Sequence, residues 1–420
     1  MKKNLFVGAL FLSLSLSLKA DFLVQPDDVL GIAGDSITVQ HLYSADIEDY
    51  LLMCQGTRSQ GIVQFGWSGE QAPGFLARLD TDVLPFKPTV MTTCYGMNDG
   101  HYVALTDPIA DTYRKAQMDI IEKLKKSGVH TIVLGSPKCV DSQTYHGSPD
   151  QAVIYNKTLG SLADIDKEIA QKEGVVYADV YESTFAAMEK AKEKFGQSYV
   201  FAGADGVHPG PNGHLVMAYA YLKALGCDGN IGTITVDFAN KQATGSPGQD
   251  VVSYQDGTVS LKSTRYPFCF SGTVDSKDSG DTAAVSTCFP FNDDLNRYML
   301  VVKGLTTAKA KVTWGATTKE YSAADLAKGV NLAAEFLDNP FVVPFMKIDR
   351  AVKEKESQET TLSQMFMHNA PAWEVAFAPG TQAAFDQIIS AGMSRHGELY
   401  KKAVDLVVPV EHTIKIIPSV

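Results

Sequence analysis

A serine, an aspartate and a histidine in this sequence stand in contexts that can support nucleophilic catalysis. Ser36 follows the apolar run 29–33 and a Gly-Asp pair, and a helix-like pattern begins after it. A serine near a helix N-terminus can attack an acyl group while its own N–H holds the developing oxyanion. Asp205 and His208 stand three residues apart in a loop bounded by glycine and proline. At that spacing the carboxylate can orient the imidazole as a general base.

Each of these residues also has an ordinary structural interpretation. Serine is a common helix N-cap, and an aspartate and a histidine in one loop can be unrelated turn residues. The presence of all three favours catalysis, because a serine hydroxyl needs a base and the base needs to be oriented. We therefore predict that Ser36 is the nucleophile, His208 the base and Asp205 its orienting carboxylate.

Two further positions can supply hydrogen-bond donors to an oxyanion. Asn98 closely follows the apolar run 89–94, and its side-chain amide can donate, as can the backbone N–H of Gly69. Taken singly, an asparagine and a glycine at such positions are most often turn residues. Neither residue is therefore informative without the serine and the histidine.

The elements that must position these residues alternate between short apolar runs and helical patterns from residue 21 to residue 228. This alternation predicts a parallel sheet covered by helices on both faces, with ligands bound at the carboxyl ends of its strands. The candidate residues follow strand ends or lie in later loops, so they can converge on one edge. The predicted strands are 29–33, 61–65, 89–94, 130–134 and 175–180, and the main helices are 46–54, 109–126, 150–172 and 211–225.

The motifs that contain these residues resemble the four blocks of the SGNH, or GDSL, hydrolase family, in the same order. That resemblance covers roughly residues 21–228. It implies a flavodoxin-like three-layer α/β/α fold and hydrolysis of acyl esters or thioesters without a metal or other cofactor. The blocks are Gly34-Asp35-Ser36, Gly69, Gly96-Met97-Asn98-Asp99 and Asp205-Gly206-Val207-His208-Pro209.

The resemblance implies a triad of Ser36, His208 and Asp205. It also implies an oxyanion hole made by the N–H groups of Ser36 and Gly69 and the side chain of Asn98. The second block departs from the family pattern, so Gly66 remains a rival to Gly69 as a donor. The chain lacks a GxSxG motif, which argues against an ordinary α/β-hydrolase lipase.

The chain changes in character after residue 228. Short β-rich segments separated by Gly, Ser, Asp and Thr predict a small antiparallel β module over residues 229–335. Residues 336–420 are predicted to be a helical extension with a terminal strand. The last run, 408–417, alternates in the manner of an edge strand.

Residues 1–20 have the pattern of a secretory signal peptide, with a basic start, a short apolar stretch and a small-residue cleavage site. We therefore expect an exported protein, periplasmic or extracellular, without a stable membrane anchor. The formal net charge of −11 argues against nucleic acid and anionic membranes as partners. Export permits disulfides, and the near-mirror contexts of Cys269 and Cys288 make them the expected pair.

Aromatic residues beside the catalytic loops can stack on sugar rings, although packing is an equally ordinary role for them. With export, acidity and the β module, they favour an esterase that removes acetyl groups from carbohydrates. One alternative is a lysophospholipase, lipase or thioesterase that uses the same residues. Another is a glycan-binding protein whose hydrolase domain is idle. The aromatic candidates are Trp67, Tyr95, His101 and Tyr102.

Overall fold

The computed structural model describes residues 21–377 and 380–419, so the predicted signal peptide, residues 1–20, lies outside the described residues. Five buried apolar runs form a parallel sheet in the order β2-β1-β3-β4-β5. The strands read as continuous apolar runs because both faces of the sheet are covered. Their bounds are β1 (Val29–Gly34), β2 (Gly61–Gly66), β3 (Val90–Cys94), β4 (Thr131–Gly135) and β5 (Val176–Ala178).

Helices cover both faces of this sheet. α2 and α6 pack against α7, whereas α3 and α5 pack against α4. This arrangement and the strand order confirm the flavodoxin-like three-layer α/β/α fold. The sequence pattern missed α3 and α6. The helices are α1 (Ser36–Val39), α2 (Tyr43–Asp49, continued by Tyr50–Gln55), α3 (Ala72–Arg78, continued by Leu79–Val83 and Leu84–Phe86), α4 (Asp107–Lys126), α5 (Pro149–Glu173), α6 (Val180–Phe195) and α7 (Pro211–Ala224).

Two further sheets follow, in the orders β13-β10-β6-β7 and β12-β11-β14-β9-β8. β6 and β10 pair in parallel, so the expectation of a wholly antiparallel module is wrong. A parallel pair needs a long crossover, and residues 238–296 provide it. The bounds are β6 (Asn230–Asp237), β7 (Gln242–Gly245), β8 (Gln249–Gln255), β9 (Thr258–Ser263), β10 (Arg297–Lys303), β11 (Lys309–Trp314), β12 (Thr317–Ser322), β13 (Val330–Asn331) and β14 (Val410–Ser419).

The C-terminal helices connect these sheets to the first part of the chain. α12 packs on β2 and α2, and α14 packs on α12. None of the helices in the described ranges is long and apolar enough to cross a membrane. The helices are α8 (Thr282–Val285), α9 (Phe291–Asp294), α10 (Ala323–Lys328), α11 (Leu332–Glu335), α12 (Val342–Thr360, continued by Thr361–Met367), α13 (Ala370–Phe377) and α14 (Gln382–Leu406).

The last strand, β14, corrects one expectation. It lies in the middle of its sheet, paired antiparallel with β11 on one side and β9 on the other, and is not an edge strand. The alternating pattern showed only that one face of the strand is buried, which its alternating exposure bears out. Alternation does not distinguish a central strand from an edge strand when the other face meets water.

The expected Cys269–Cys288 disulfide is absent. All six cysteines lie within the described residues, and each carries a free, buried thiol. The Sγ atom of Cys269 lies 3.5 Å from the carbonyl oxygen of Pro267, and that of Cys288 lies near the hydroxyl of Thr287. Similar flanking residues therefore indicate similar burial, and they do not place the two sulfur atoms together.

Candidate active site

Ser36 is the first residue of α1 and stands directly beyond the carboxyl end of β1. Asp35 caps the helix, because its Oδ1 accepts a hydrogen bond from the N–H of Ile37 at 2.9 Å. The N–H of Ser36 belongs to the first turn of the helix, where no intrahelical acceptor exists. The serine is half-buried, so both its hydroxyl and its N–H can meet a ligand.

The structure brings Ser36, His208 and Asp205 into one hydrogen-bonded chain. Ser36 Oγ lies 2.8 Å from His208 Nε2, and His208 Nδ1 lies 2.7 Å from Asp205 Oδ2. The side chains of His208 and Asp205 are 38% and 44% exposed, so the imidazole is open to a substrate. This geometry suits proton transfer from the serine hydroxyl to an imidazole oriented by a carboxylate.

The three-residue spacing of Asp205 and His208 folds into a tight loop around the carboxylate. Asp205 Oδ1 accepts from the backbone N–H groups of Val207 and His208, each at 2.9 Å. Burial raises the pKa of Asp205, but the hydrogen bonds from His208 and Val207 together outweigh it and lower the pKa to about 2. The carboxylate therefore stays ionised at neutral pH. Gly206, inside this loop, has φ +75°, and a Cβ there would lie 2.5 Å from the Cα of Tyr145.

Gly69 occupies a turn at the end of β2, where its N–H can serve as an oxyanion donor. The N–H of Glu70 donates to the carbonyl oxygen of Trp67 at 3.2 Å, and Gly69 has φ +75°, as the third position of a type II turn requires. In the described residues, no group lies within 4 Å of where a Cβ of Gly69 would be. Gly66, the rival, donates its N–H to the Oε1 atom of Gln64. That leaves Gly69 as the available donor of the pair.

Asn98 follows β3 with its amide fixed on both sides. Its Nδ2 donates to the carbonyl oxygen of Glu70 at 3.0 Å, and its Oδ1 accepts from the hydroxyl of Tyr102 at 3.2 Å. An amide nitrogen carries two hydrogens, so a second remains for an oxyanion. Asp99 ties the two loops together, because it accepts from the N–H groups of Ala72 at 2.8 Å and Gly96 at 2.9 Å.

Known proteins resemble this chain in sequence and in fold. Residues 32–216 match the model of the GDSL-like lipase/acylhydrolase family. This chain contains a GDSL-like hydrolase domain and is a serine ester hydrolase. A search of curated protein sequences gave no match for the hydrolase.

Solved structures resemble the hydrolase over two different lengths. A gut microbial diltiazem-metabolizing enzyme is 22% identical to this chain, with a TM-score of 0.72. The match covers 95% of this chain and 99% of that enzyme. It shows that the fold extends over both parts of the chain. An acetylxylan esterase from Geobacillus stearothermophilus is 20% identical and covers 49% of this chain and 96% of its own, with a TM-score of 0.40. A GDSL-like lipase from Parabacteroides merdae is 19% identical, with a TM-score of 0.40. That match covers 49% of this chain and 99% of the lipase.

The four aromatic candidates of the hydrolase have different environments. The ring of Tyr95 is fully buried against Phe75, and its hydroxyl donates to Glu70 Oε2 at 2.7 Å. Tyr95 therefore offers no face to a ligand, contrary to expectation, because it completes a buried polar cluster. Trp67 and Tyr102 are half-buried at the surface, and His101 is exposed.

The segment with His101 and Tyr102 has an unusual backbone. Their φ angles are +52° and +59°, in the left-handed region that residues other than glycine rarely adopt. Such strain persists only when surrounding contacts impose it, and it clusters at functional sites. In this segment the hydroxyl of Tyr102 donates to Asn98 Oδ1, so the segment helps to hold the amide in place.

Asp35 combines a local and an electrostatic role. Its carboxyl is buried, and desolvation raises the pKa to about 7, while the N–H of Ile37 acts in the opposite direction and the charge of Asp99 adds to the rise. Desolvation likewise raises the pKa of Asp99 to about 6, although hydrogen bonds from Ala72 and Gly96 oppose it. The site therefore holds two buried carboxyls that change charge near neutral pH.

Sequence reasoning missed two residues at the site. Gln71 donates from Nε2 to the carbonyl oxygen of Asn98 at 3.0 Å. Its position two residues after Gly69 was a local signal that could have identified it. His368, from the C-terminal extension, packs against Trp67 with a ring-centroid separation of 4.6 Å. No local pattern connects His368 to the motifs, because it follows the last of them by more than 150 residues.

Proposed function

We propose that this hydrolase removes short acyl groups, above all acetyl groups, from the hydroxyls of carbohydrates. Ser36 Oγ attacks the ester carbonyl while His208 Nε2 takes its proton, and Asp205 stabilises the resulting imidazolium. The N–H groups of Ser36 and Gly69 and the Nδ2 of Asn98 hold the tetrahedral oxyanion. The intermediate expels the sugar oxygen, which receives the proton from His208. Water, activated by the same imidazole, then hydrolyses the acyl-enzyme.

Polar side chains within the cavities that border the oxyanion loops support a carbohydrate substrate. One cavity of about 200 Å³ contains Gln71, Asp99, His101 and Thr112 among its lining residues. A larger one of about 450 Å³ has Ser68, Gln71 and His368 among its lining residues. A fatty acyl chain offers these polar groups no hydrogen bond. A sugar supplies hydroxyls that can bond to them.

One observation favours the alternative of esters with long acyl chains. The extension that carries His368 also exposes apolar side chains, Met365 at 60% and Val375 at 88%. Exposed apolar surface of this kind can contact lipid or detergent-like substrates. The acyl-chain dependence of the rate therefore separates the two classes.

The test is a series of p-nitrophenyl esters from acetate to palmitate, with the wild type beside Ser36→Ala, followed by acetylated oligosaccharides. We expect the largest kcat/KM for acetate, release of acetate from the sugars, and loss of both activities in the variant. A preference for long chains would move the assignment to lipids. Equal turnover by Ser36→Ala would refute the nucleophile.

Export completes the proposal, on the basis of the signal-like residues 1–20. After cell fractionation, we expect to find the protein outside the cytoplasm. N-terminal sequencing should then show that the mature protein begins at Asp21. An uncleaved N-terminus in the cytoplasmic fraction would contradict it.

A further inference from the structure

The C-terminal extension reaches the oxyanion loop by way of strand β2. Glu359 of α12 accepts from the N–H of Gln64 at 2.9 Å, and Gln364 donates to the carbonyl oxygen of Gly66 at 2.7 Å. β2 is an edge strand of the parallel sheet, so these side chains satisfy backbone groups that no neighbouring strand can bond. The same anchoring places His368, one helical turn after Gln364, beside the residues that follow β2.

His368 is held in a defined orientation. Its Nδ1 lies 2.9 Å from Asp82 Oδ2, and its ring packs against the indole of Trp67 at a tilt of 54°. The side chain of Asp82 is fully buried, whereas that of His368 is 40% exposed. One edge of the imidazole is therefore fixed by the protein, and the rest of the ring is left at the surface.

Trp67 and His368 form one wall of an open cleft of about 450 Å³, here named the Trp67–His368 cleft. Gly69, the proposed oxyanion donor, and Gln71, which bonds to the Asn98 loop, also line the cleft. Through Gly69 the cleft adjoins the proposed oxyanion hole. Ser68 and Arg78 also line the cleft.

The base of the cleft contains a buried ion pair. Arg78 forms two hydrogen bonds with Glu70, Nε to Oε1 at 2.6 Å and Nη2 to Oε2 at 2.7 Å. Its Nη1 is buried without a hydrogen-bond partner in the described residues, and the nearest carboxylate oxygen, Asp82 Oδ2, lies 3.7 Å away. The guanidinium also lies 5.2 Å from the centroid of the Trp67 ring. An uncharged ligand with hydroxyl groups fits this combination, because it brings no charge that would compete with the Arg78–Glu70 ion pair.

We propose that the Trp67–His368 cleft is a subsite for a further sugar ring of an oligosaccharide substrate, with His368 of the C-terminal extension as a specificity-determining residue. This inference rests on the proposed carbohydrate esterase function. The exposed ring of His368 packs against the sugar, and its free edge and the hydroxyl of Ser68 bond to hydroxyls of the sugar. The extension thereby selects substrates longer than one sugar unit.

Binding can be measured without catalysis. In a Ser36→Ala background, cellotetraose and xylotetraose are titrated against tryptophan fluorescence and by calorimetry. We expect saturable binding that is weakened about 3- to 10-fold by His368→Asn, the usual scale of one aromatic contact. Asparagine can place its amide near the position of Nδ1 and keep the bond to Asp82, so the loss reports the ring. His368→Ala is the second variant, should asparagine perturb the fold.

The matched control is His130→Ala. His130 is also a half-exposed histidine on a buried aspartate, with Nε2 2.8 Å from Asp28 Oδ1, but it lies at the amino end of β4, away from the site. The His130→Ala variant should leave the binding of both tetrasaccharides unchanged. In the catalytically intact enzyme, His368→Asn should raise KM for acetylated tetrasaccharides by the same 3- to 10-fold and leave kcat/KM for ethyl acetate unchanged.

Absence of binding by both tetrasaccharides, or equal binding by wild-type and His368→Asn proteins, would overturn the subsite. Failure of the proposed function has a different signature, which is undisturbed binding of the tetrasaccharides together with no release of acetate from their acetylated forms. An equal loss of ethyl acetate turnover in His368→Asn would also overturn the assignment. It would show that the residue supports the oxyanion loop generally and does not select the sugar.

Discussion

Replacing Asp205 by asparagine tests the electrostatic part of the site with little change in shape. The Oδ1 atom of Asp205 accepts from two backbone N–H groups, and an asparagine oxygen can accept both. The new amide nitrogen then faces His208 Nδ1, 2.7 Å from the present Oδ2. Because that nitrogen only donates, His208 Nδ1 must accept. The ring proton of His208 therefore moves to Nε2. In that tautomer Nε2 can no longer accept a proton from Ser36.

The loss of charge sets the scale of the effect. Unit charges at the observed 2.7 Å attract by about 1.5 kcal/mol in water and about 6 kcal/mol at an effective dielectric constant of 20. The side chains of His208 and Asp205 are 38% and 44% exposed, so a value toward the aqueous limit applies, about 2–4 kcal/mol. When this attraction between imidazolium and carboxylate is lost from the transition state, kcat falls by about 30- to 1,000-fold. The tautomer change places the expected value at the upper end.

Saturation kinetics on p-nitrophenyl acetate at pH 8 provide the assay, with kcat and KM determined separately. Asp28→Asn is the matched control, because Asp28 also contacts a histidine, His130, at 2.8 Å but far from the site. It should leave kcat within about twofold, as expected for a change remote from the chemistry. A decrease below threefold in Asp205→Asn, or one confined to KM, would refute the role of the carboxylate in the transition state.

Three further predictions concern the site. Ser36→Ala should lower kcat by at least about 10⁴-fold without changing the melting temperature, as progress curves and thermal melts will show; substantial turnover would reassign the nucleophile. Asn98→Ala should lower kcat by about 10²–10³-fold, and an unchanged kcat would make Asn98 a turn residue only. Burial raises the pKa of Asp35 to about 7, so the folded state keeps a proton that the unfolded state releases from about pH 4. The free energy of unfolding therefore falls as the pH rises from about 4 to about 7. Asp35→Asn should therefore add up to roughly 4 kcal/mol to the unfolding free energy at pH 8 but little at pH 4, as urea denaturation will show; equal gains at both pH values would contradict this.

The parallel sheet and the residues at its edge were predictable because the relevant information is local. A strand buried on both faces reads as an apolar run, and a Gly-Asp-Ser sequence after it leaves few conformations except a strand end with a helix start. The same holds for Asp205 and His208, since one short loop contains both the carboxylate and the imidazole. These features require no knowledge of distant parts of the chain.

The rest depended on contacts between distant residues. Tyr95 stands beside Asn98 in sequence, but the partner that determines its orientation, Glu70, comes from another loop. An alternating segment such as β14 records one buried face and says nothing of which strands lie on either side. His368 reaches Trp67 only because α12 lies along β2, and no pattern around residue 368 indicates that packing.

The packing of α12 also explains why the hydrolase domain and the extension depend on each other. Lys355 is fully buried, donates to the carbonyl oxygen of Ile62 in β2 at 2.7 Å, and pairs with Glu48 of α2 at 3.0 Å. Removing the extension would leave Glu48 without its cation and the edge of β2 without these bonds, which would destabilise the sheet. Truncation after residue 228 therefore cannot separate catalysis from glycan binding. Point variants at His368 leave Lys355 and its partners in place, so only they can test the extension's part in selecting the substrate.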